Sequence, residues 1–129
     1  MSDGAAESDQ PLPDDSSEVL ALLAARTADD RKATDIVVLD VSAVVVITDY
    51  FVIASASNAR LVRTVAEEIE RVAKEDLGRA PIRTEGAREA QWTLLDFGDV
   101  VVHVFHQETR EFYEIERLYG DVPRVPWQA

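Results

Sequence analysis

The residues best suited to chemistry gather late in the chain: Trp92, Asp96, Asp99, His103, His106 and Glu108. Histidines and carboxylates are the residue types of metal ligation and of general acid–base catalysis. Their spacing argues against both. His103 and His106 fall in a strand-like run, where residues three apart point to opposite faces. They make a poor metal site even with Glu108 close by. Asp96 and Asp99 flank Phe97-Gly98, and turn geometry accounts for carboxylates there. The chain has no cysteine, so serine is the main candidate nucleophile. Neither Ser55 nor Ser57 has a sequence context that points to a base. Dinucleotide, P-loop and nucleophile-elbow motifs are absent from the sequence. We therefore assign no catalytic residue, no metal and no cofactor, and expect a protein that is not an enzyme.

The elements that must position these residues can be read from periodicity. Asp15 or Ser16 opens a first helix, with Asp15 and Glu18 resembling a capping box. Val19, Leu20, Leu22, Leu23 and Ala24 form its apolar stripe, and it fades near Arg31. Ile36 to Val41 reads as a buried strand, and Tyr50 to Ala54 as another. Val44 to Ile47 between them is equally consistent with strand or loop. Ser57 or Asn58 caps the clearest helix, with Leu61, Val62, Val65, Ala66, Ile69, Val72 and Ala73 at helical spacing and Gly78 past its end. Arg63–Glu67, Glu67–Arg71 and Glu70–Lys74 are i,i+4 pairs on its wet side. Ala80 to Thr84 is a candidate edge strand. Residues 92–97 and 100–106 are two strands around a turn. Thr109 to Tyr119 reads as a helix with Phe112, Ile115 and Tyr119 on one side, ended by Gly120. The order predicts an α/β fold, a mixed sheet with packed helices.

A two-residue turn at Phe97-Gly98 or Gly98-Asp99 sets the parity of the hairpin. Either choice places Trp92, Leu94 and Asp96 on the face of Val101, His103 and Phe105. The opposite face, with Thr93, Leu95, Phe97, Val100, Val102 and Val104, is nearly all apolar and belongs against the helices. The mixed face has the composition of a sheet surface that meets a partner. Trp92 reads either as a core residue with its N–H satisfied or as an exposed anchor. His103 reads either as a packed or hydrogen-bonded histidine or as a ligand or catalyst. Trp127, in a proline-bracketed stretch, either folds back on the core or docks elsewhere.

With 129 residues and 47% hydrophobic content, the chain is one domain's worth and can bury a core. Residues 1–15 read as a disordered acidic tail, 16–120 as the folded domain and 121–129 as a Pro-containing C-terminal tail. No run approaches the length of a membrane span. The lack of cysteine and the polar start fit a cytoplasmic protein. Net charge is −12. Without the five acids of residues 1–15, 20 acids still face 13 Lys and Arg. Such a chain is repelled by phosphate backbones, so we expect no direct nucleic-acid binding; a basic protein partner suits it better.

The layout also suggests a small nucleotidyltransferase-like fold. Such enzymes pair a Gly-Ser turn with two carboxylates one residue apart on a strand. Here the corresponding turn is Ala54-Ser55-Ala56-Ser57-Asn58 and no strand carries Asp-x-Asp. A fold of that type would be catalytically silent.

The ordered residues resemble the bacterial ribosomal silencing factors, the iojap-like family. The matching pieces are Lys32-Ala33 with Asp35-Ile36 and Leu39-Asp40-Val41; Thr48 to Ser55 followed by Arg60; Glu85-Gly86 and Trp92; Asp96 with Gly98-Asp99-Val100; Val102-His103-Val104; and Glu108, Arg110, Tyr113-Glu114 and Leu118. The resemblance covers about Val19 to Tyr119. The chain departs from the pattern at Ala56, where the family often has Gly, and in the apolar Val44 to Ile47. The resemblance implies a nucleotidyltransferase-like mixed sheet without catalytic residues. It implies binding to the large ribosomal subunit through its protein number fourteen, and a steric block to small-subunit joining when nutrients are scarce. It also implies a possible homodimer. Trp92, Leu94 and His103, with Tyr113 nearby, are the expected centre of the docking face; Asp96, Glu108 and Glu114 are its expected charged rim. Two other readings compete: a small metal-dependent nucleotidyltransferase or phosphohydrolase, and a ribosome-independent adaptor or dimerisation module.

Overall fold

The computed structural model describes residues 13–128. Residues 1–12, most of the expected acidic tail, lie outside the described residues. Helix α1 (Pro13–Asp30) is followed by strands β1 (Thr34–Asp40) and β2 (Tyr50–Ala56), helix α2 (Ala59–Leu77), strands β3 (Arg83–Glu85), β4 (Trp92–Asp96) and β5 (Val100–His106), helix α3 (Gln107–Tyr113) and a 3-10 turn (Ile115–Tyr119). The five strands form one mixed sheet in the order β1-β2-β5-β4-β3. β2 and β5 run parallel in its centre, and the outer pairings are antiparallel.

Both long helices pack on one face. α1 buries Leu20, Ala21, Ala24, Ala25 and Ala28, whose small side chains admit close packing; α2 buries Val62, Val65, Ala66, Ile69 and Ala73. α1 starts at Pro13, two residues before the expected cap, because proline suits a first helical turn. Asn58 caps α2 by accepting the Leu61 N–H at 2.8 Å. Gly78 closes it in the left-handed conformation.

The wet face of α2 is organised differently from the expected i,i+4 pattern. Arg71 bonds Glu68 and Glu75, and Glu68 also accepts Arg31 from the end of α1. Arg63 donates to the Arg88 carbonyl instead. The hydrogen bonds from Arg71 and then Arg31 hold the Glu68 carboxyl down at about 2. These are exposed pairs and contribute little to stability.

One open reading is resolved and one expectation is corrected. Val44 to Ile47 is loop, and Val46 and Ile47 stand 99% and 84% exposed while Val45 tucks against the sheet. The last helix is broken in two: Glu114 takes a left-handed φ of 49° between α3 and the 3-10 turn. Phe112 consequently points outward rather than inward. The residue that faces the sheet is Arg110, and a residue two further along a helix turns about 200° away from it.

Arg110 is 8% exposed. It donates to the Asp35 carbonyl, to Ser55 Oγ at 2.8 Å and to Glu116 at 2.9 Å, so one guanidinium ties β1, β2 and the 3-10 turn together. Arg110→Met should lower stability by about 3 kcal/mol, because Glu116 and Ser55 lose their buried partner. A urea-midpoint shift checks this; a shift equal to that of an exposed arginine would contradict it.

The C-terminal residues run along β1. Pro123 O accepts the Asp40 N–H, and the Val125 N–H donates to Val38 O. Trp127 folds back, its indole N–H bonding the Ile36 carbonyl at 3.1 Å. This covers an otherwise open sheet edge.

Candidate functional site

The hairpin turn is Gly98-Asp99. Phe97 N–H donates to Val100 O at 2.9 Å, and Asp96 pairs with Val101, Leu94 with His103 and Trp92 with Phe105. The parity is therefore the expected one. Thr93, Leu95, Phe97, Val100, Val102 and Val104 are all buried beneath the helices. Trp92, Leu94, Asp96, Val101, His103 and Phe105 share the other face.

That second face is only half covered. Residues 107–122 fold over its β1–β2–β5 side, where Ile115, Tyr119 and Val122 pack on Leu39, Ile53 and Phe105. Toward β4 and β3 the face stays partly open at Leu94, Asp96 and Val101, and β3 is exposed throughout.

Trp92 sits on the boundary. Its ring lies 4.6 Å from that of Phe105 and 5.2 Å from that of Tyr113. Its indole N–H donates to His103 Nδ1 at 3.1 Å. His103 in turn meets Phe51 edge-on at 4.9 Å, and Phe51 meets Tyr119 at 5.1 Å. At the outer end Tyr113, 55% exposed, contacts Phe112, 79% exposed. A continuous aromatic train thus runs from the core to the surface. Trp92 meets both open readings at once: its N–H is satisfied, yet its ring remains partly accessible.

The expected residues are placed unequally. Trp92, Leu94, Asp96 and His103 share one sheet face, and Tyr113 joins them through Trp92. His103 is buried and so cannot itself offer much contact area. Asp96 caps the turn by accepting Gly98 N–H at 2.8 Å, and also pairs with Arg83 at 3.2 Å. Glu108, in the first turn of α3, and Glu114, just after α3, are exposed; Glu114 pairs with Arg117. Sequence reasoning missed Phe112 and Leu118, both exposed apolar residues on the same covering segment. The signal for Phe112 was the arginine two residues before it.

At the hairpin, Asp99 and His103 are both displaced from their usual titration ranges. Burial disfavours the charge on Asp99, but hydrogen bonds from Arg79 and Ser17 outweigh it and hold the carboxyl below its usual range. Those bonds anchor the turn to α1 and to the residue that follows the Gly78 cap of α2. Burial pushes His103 down to about 4. Unfolded, it titrates near 6.5. Between those values the unfolded chain binds a proton that the folded chain does not. Stability should therefore fall as pH drops from 6.5 to 4, by about 3 kcal/mol in full. Urea midpoints across that range check this. His103→Leu should flatten the slope above pH 5; an unchanged slope would mean that other groups carry it.

Among the described residues no group of three or more His, Cys, Asp or Glu could hold a metal ion. None of the described helices is long and apolar enough to cross a membrane. An open cleft of about 780 Å³ lies where β2 and β5 end, lined by Arg110, Arg117 and Arg124 together with Asp35, Glu111, Glu114 and Glu116. Its charges largely pair among themselves, as Arg110–Glu116 and Arg117–Glu114.

Residues 13–129 match the family model described as ribosomal silencing factor during starvation. The chain is 43% identical over 101 residues to the ribosomal silencing factor RsfS of Bacillus subtilis, covering 78% of this chain and 85% of that one. It is 41% identical over 110 residues to the protein of the same name from Halalkalibacterium halodurans, covering 85% and 93%. A solved structure from Chromobacterium violaceum superposes with a TM-score of 0.77 at 33% identity, over 80% of this chain and 85% of that one. On this sequence match and this shared mixed α/β fold, the chain belongs to the ribosomal silencing factor family.

Proposed function

We propose that the chain represses translation by docking on the large ribosomal subunit, through the basic ribosomal protein number fourteen, and sterically blocking small-subunit joining when nutrients are limiting. The observation that carries this reading is the half-open sheet face. Trp92 and Leu94 are partly exposed, and the Trp92 ring meets exposed Tyr113, which meets exposed Phe112, on a chain whose net charge is −12. Aromatic anchors beside a polar rim are the composition of a protein interface. The net charge favours a basic protein over ribosomal RNA, and Glu108 and Glu114 at the rim would speed and orient the encounter. The names of the relatives support ribosome silencing as the outcome. On this reading the chain is a cytoplasmic regulator, not an enzyme, and the free protein pairs as a homodimer.

Sedimentation of purified subunits tests the proposal. With excess protein, large subunits should carry the chain and joined ribosomes should decline, more so at low salt because the rim is charged. Undiminished joining at saturating protein would overturn it. Metal-dependent nucleotide turnover lost on mutating Asp96 or Asp99 would instead favour the enzyme reading.

A further inference from the structure

We infer that His103 is a positioning residue for docking: its Nδ1 accepts the Trp92 indole N–H and selects the one orientation in which that ring is presented. This rests on the proposed docking face and adds how its anchor is set. A planar indole can lie against Phe105 in two ways related by a flip of the ring, and apolar packing discriminates weakly between them. The N–H is the ring's one strong polar group. An acceptor on one side therefore decides which edge faces the sheet and which faces outward. His103 is placed for this by register, opposite Leu94 on one side and Ile53 on the other, in the middle of β5.

His103 is 5% exposed, and a valine or leucine would fill such a strand position without desolvating polar atoms. With Nδ1 accepting, the ring proton resides on Nε2, which is buried and has no hydrogen-bond partner. Half of the imidazole's polar capacity is thus left unsatisfied. The half that is used faces Trp92. Because Trp92 touches Tyr113, which touches Phe112, the fixed indole also supports the exposed end of the aromatic train.

The test is a double-mutant cycle with the full chain and purified large subunits. His103→Leu should weaken binding between about twofold and tenfold, the range of a neutral hydrogen bond. In a Trp92→Phe background, which has no indole N–H, His103→Leu should change affinity by less than about twofold. His103→Asn, whose Oδ1 occupies the place of Nδ1, should restore most of the loss. The Trp92 indole N–H, seen by NMR, should be protected from solvent exchange in the parent and His103→Asn chains and unprotected in His103→Leu. Equal losses in both backgrounds, or Asn no better than Leu with the indole equally protected in all three, would overturn the inference. Unchanged affinity of Trp92→Ala would instead remove the docking face itself, so the two failures are distinguishable.

Discussion

Gly86→Ala is expected to cost the fold about 3 kcal/mol or more. Gly86 has a φ of 76°, where an L side chain is strained. A Cβ built there would stand 2.0 Å from the Trp92 carbonyl oxygen and 3.1 Å from its carbon. Both are backbone atoms and cannot swing aside. The Gly86 carbonyl is also bonded by the Ala90 N–H at 3.0 Å and by Thr93 Oγ1 at 3.3 Å, so the loop that delivers Trp92 closes on this residue. Relief of the overlap must move that loop, and Trp92 with it. Gly78→Ala provides the contrast. Gly78 has a φ of 66° but nothing within 4 Å of its Cβ position, so the strain alone remains, about 1 kcal/mol. Urea midpoints of the two variants separate overlap from strain. Equal losses would show that the close approach to Trp92 is relaxed without cost. Gly86→Ala should also weaken large-subunit binding, whereas Gly78→Ala should leave it unchanged.

Trp92→Ala should weaken large-subunit binding about 30-fold to 1,000-fold, the range of 2–4 kcal/mol seen for central aromatic anchors. Three structural facts motivate so large a value. The ring is partly exposed on the open half of the sheet. It is held rigidly by Phe105, Tyr113 and His103, so little freedom is lost on binding. It is also the joint between the core and the exposed Tyr113–Phe112 pair. Truncation will cost stability as well, and Trp127→Phe separates the two effects. Trp127 also packs against the core, with its N–H on a backbone carbonyl, but beside β1, at the opposite sheet edge from β3. A folded Trp92→Ala chain that binds as tightly as the parent would remove this face from the site.

The hairpin was readable because a two-residue turn leaves one parity, and Gly98-Asp99 is the composition such turns require. α2 was readable because its apolar spacing and both caps point the same way. The final helix was not. Its apolar residues fit one continuous helix, but Arg110 finds Asp35 O, Ser55 and Glu116 only in three dimensions, and Glu114 turns left-handed so that Glu116 can reach it. The loop at Val44 to Ile47 was ambiguous for a different reason. Hydropathy records apolar character, and there three of four apolar side chains stand exposed.

The sequence by itself determined how the histidines and carboxylates around the hairpin are spaced. Spacing along a strand already separates His103 from His106, and turn chemistry already claims Asp96 and Asp99. It also determined which hairpin residues share that face, since alternation is a property of the chain alone. Only the tertiary structure decided how much of the face is free. The segment after β5 folds over one half of the sheet and not the other, burying His103 and leaving Leu94 open. That division depends on contacts between residues far apart in sequence, which no local pattern records.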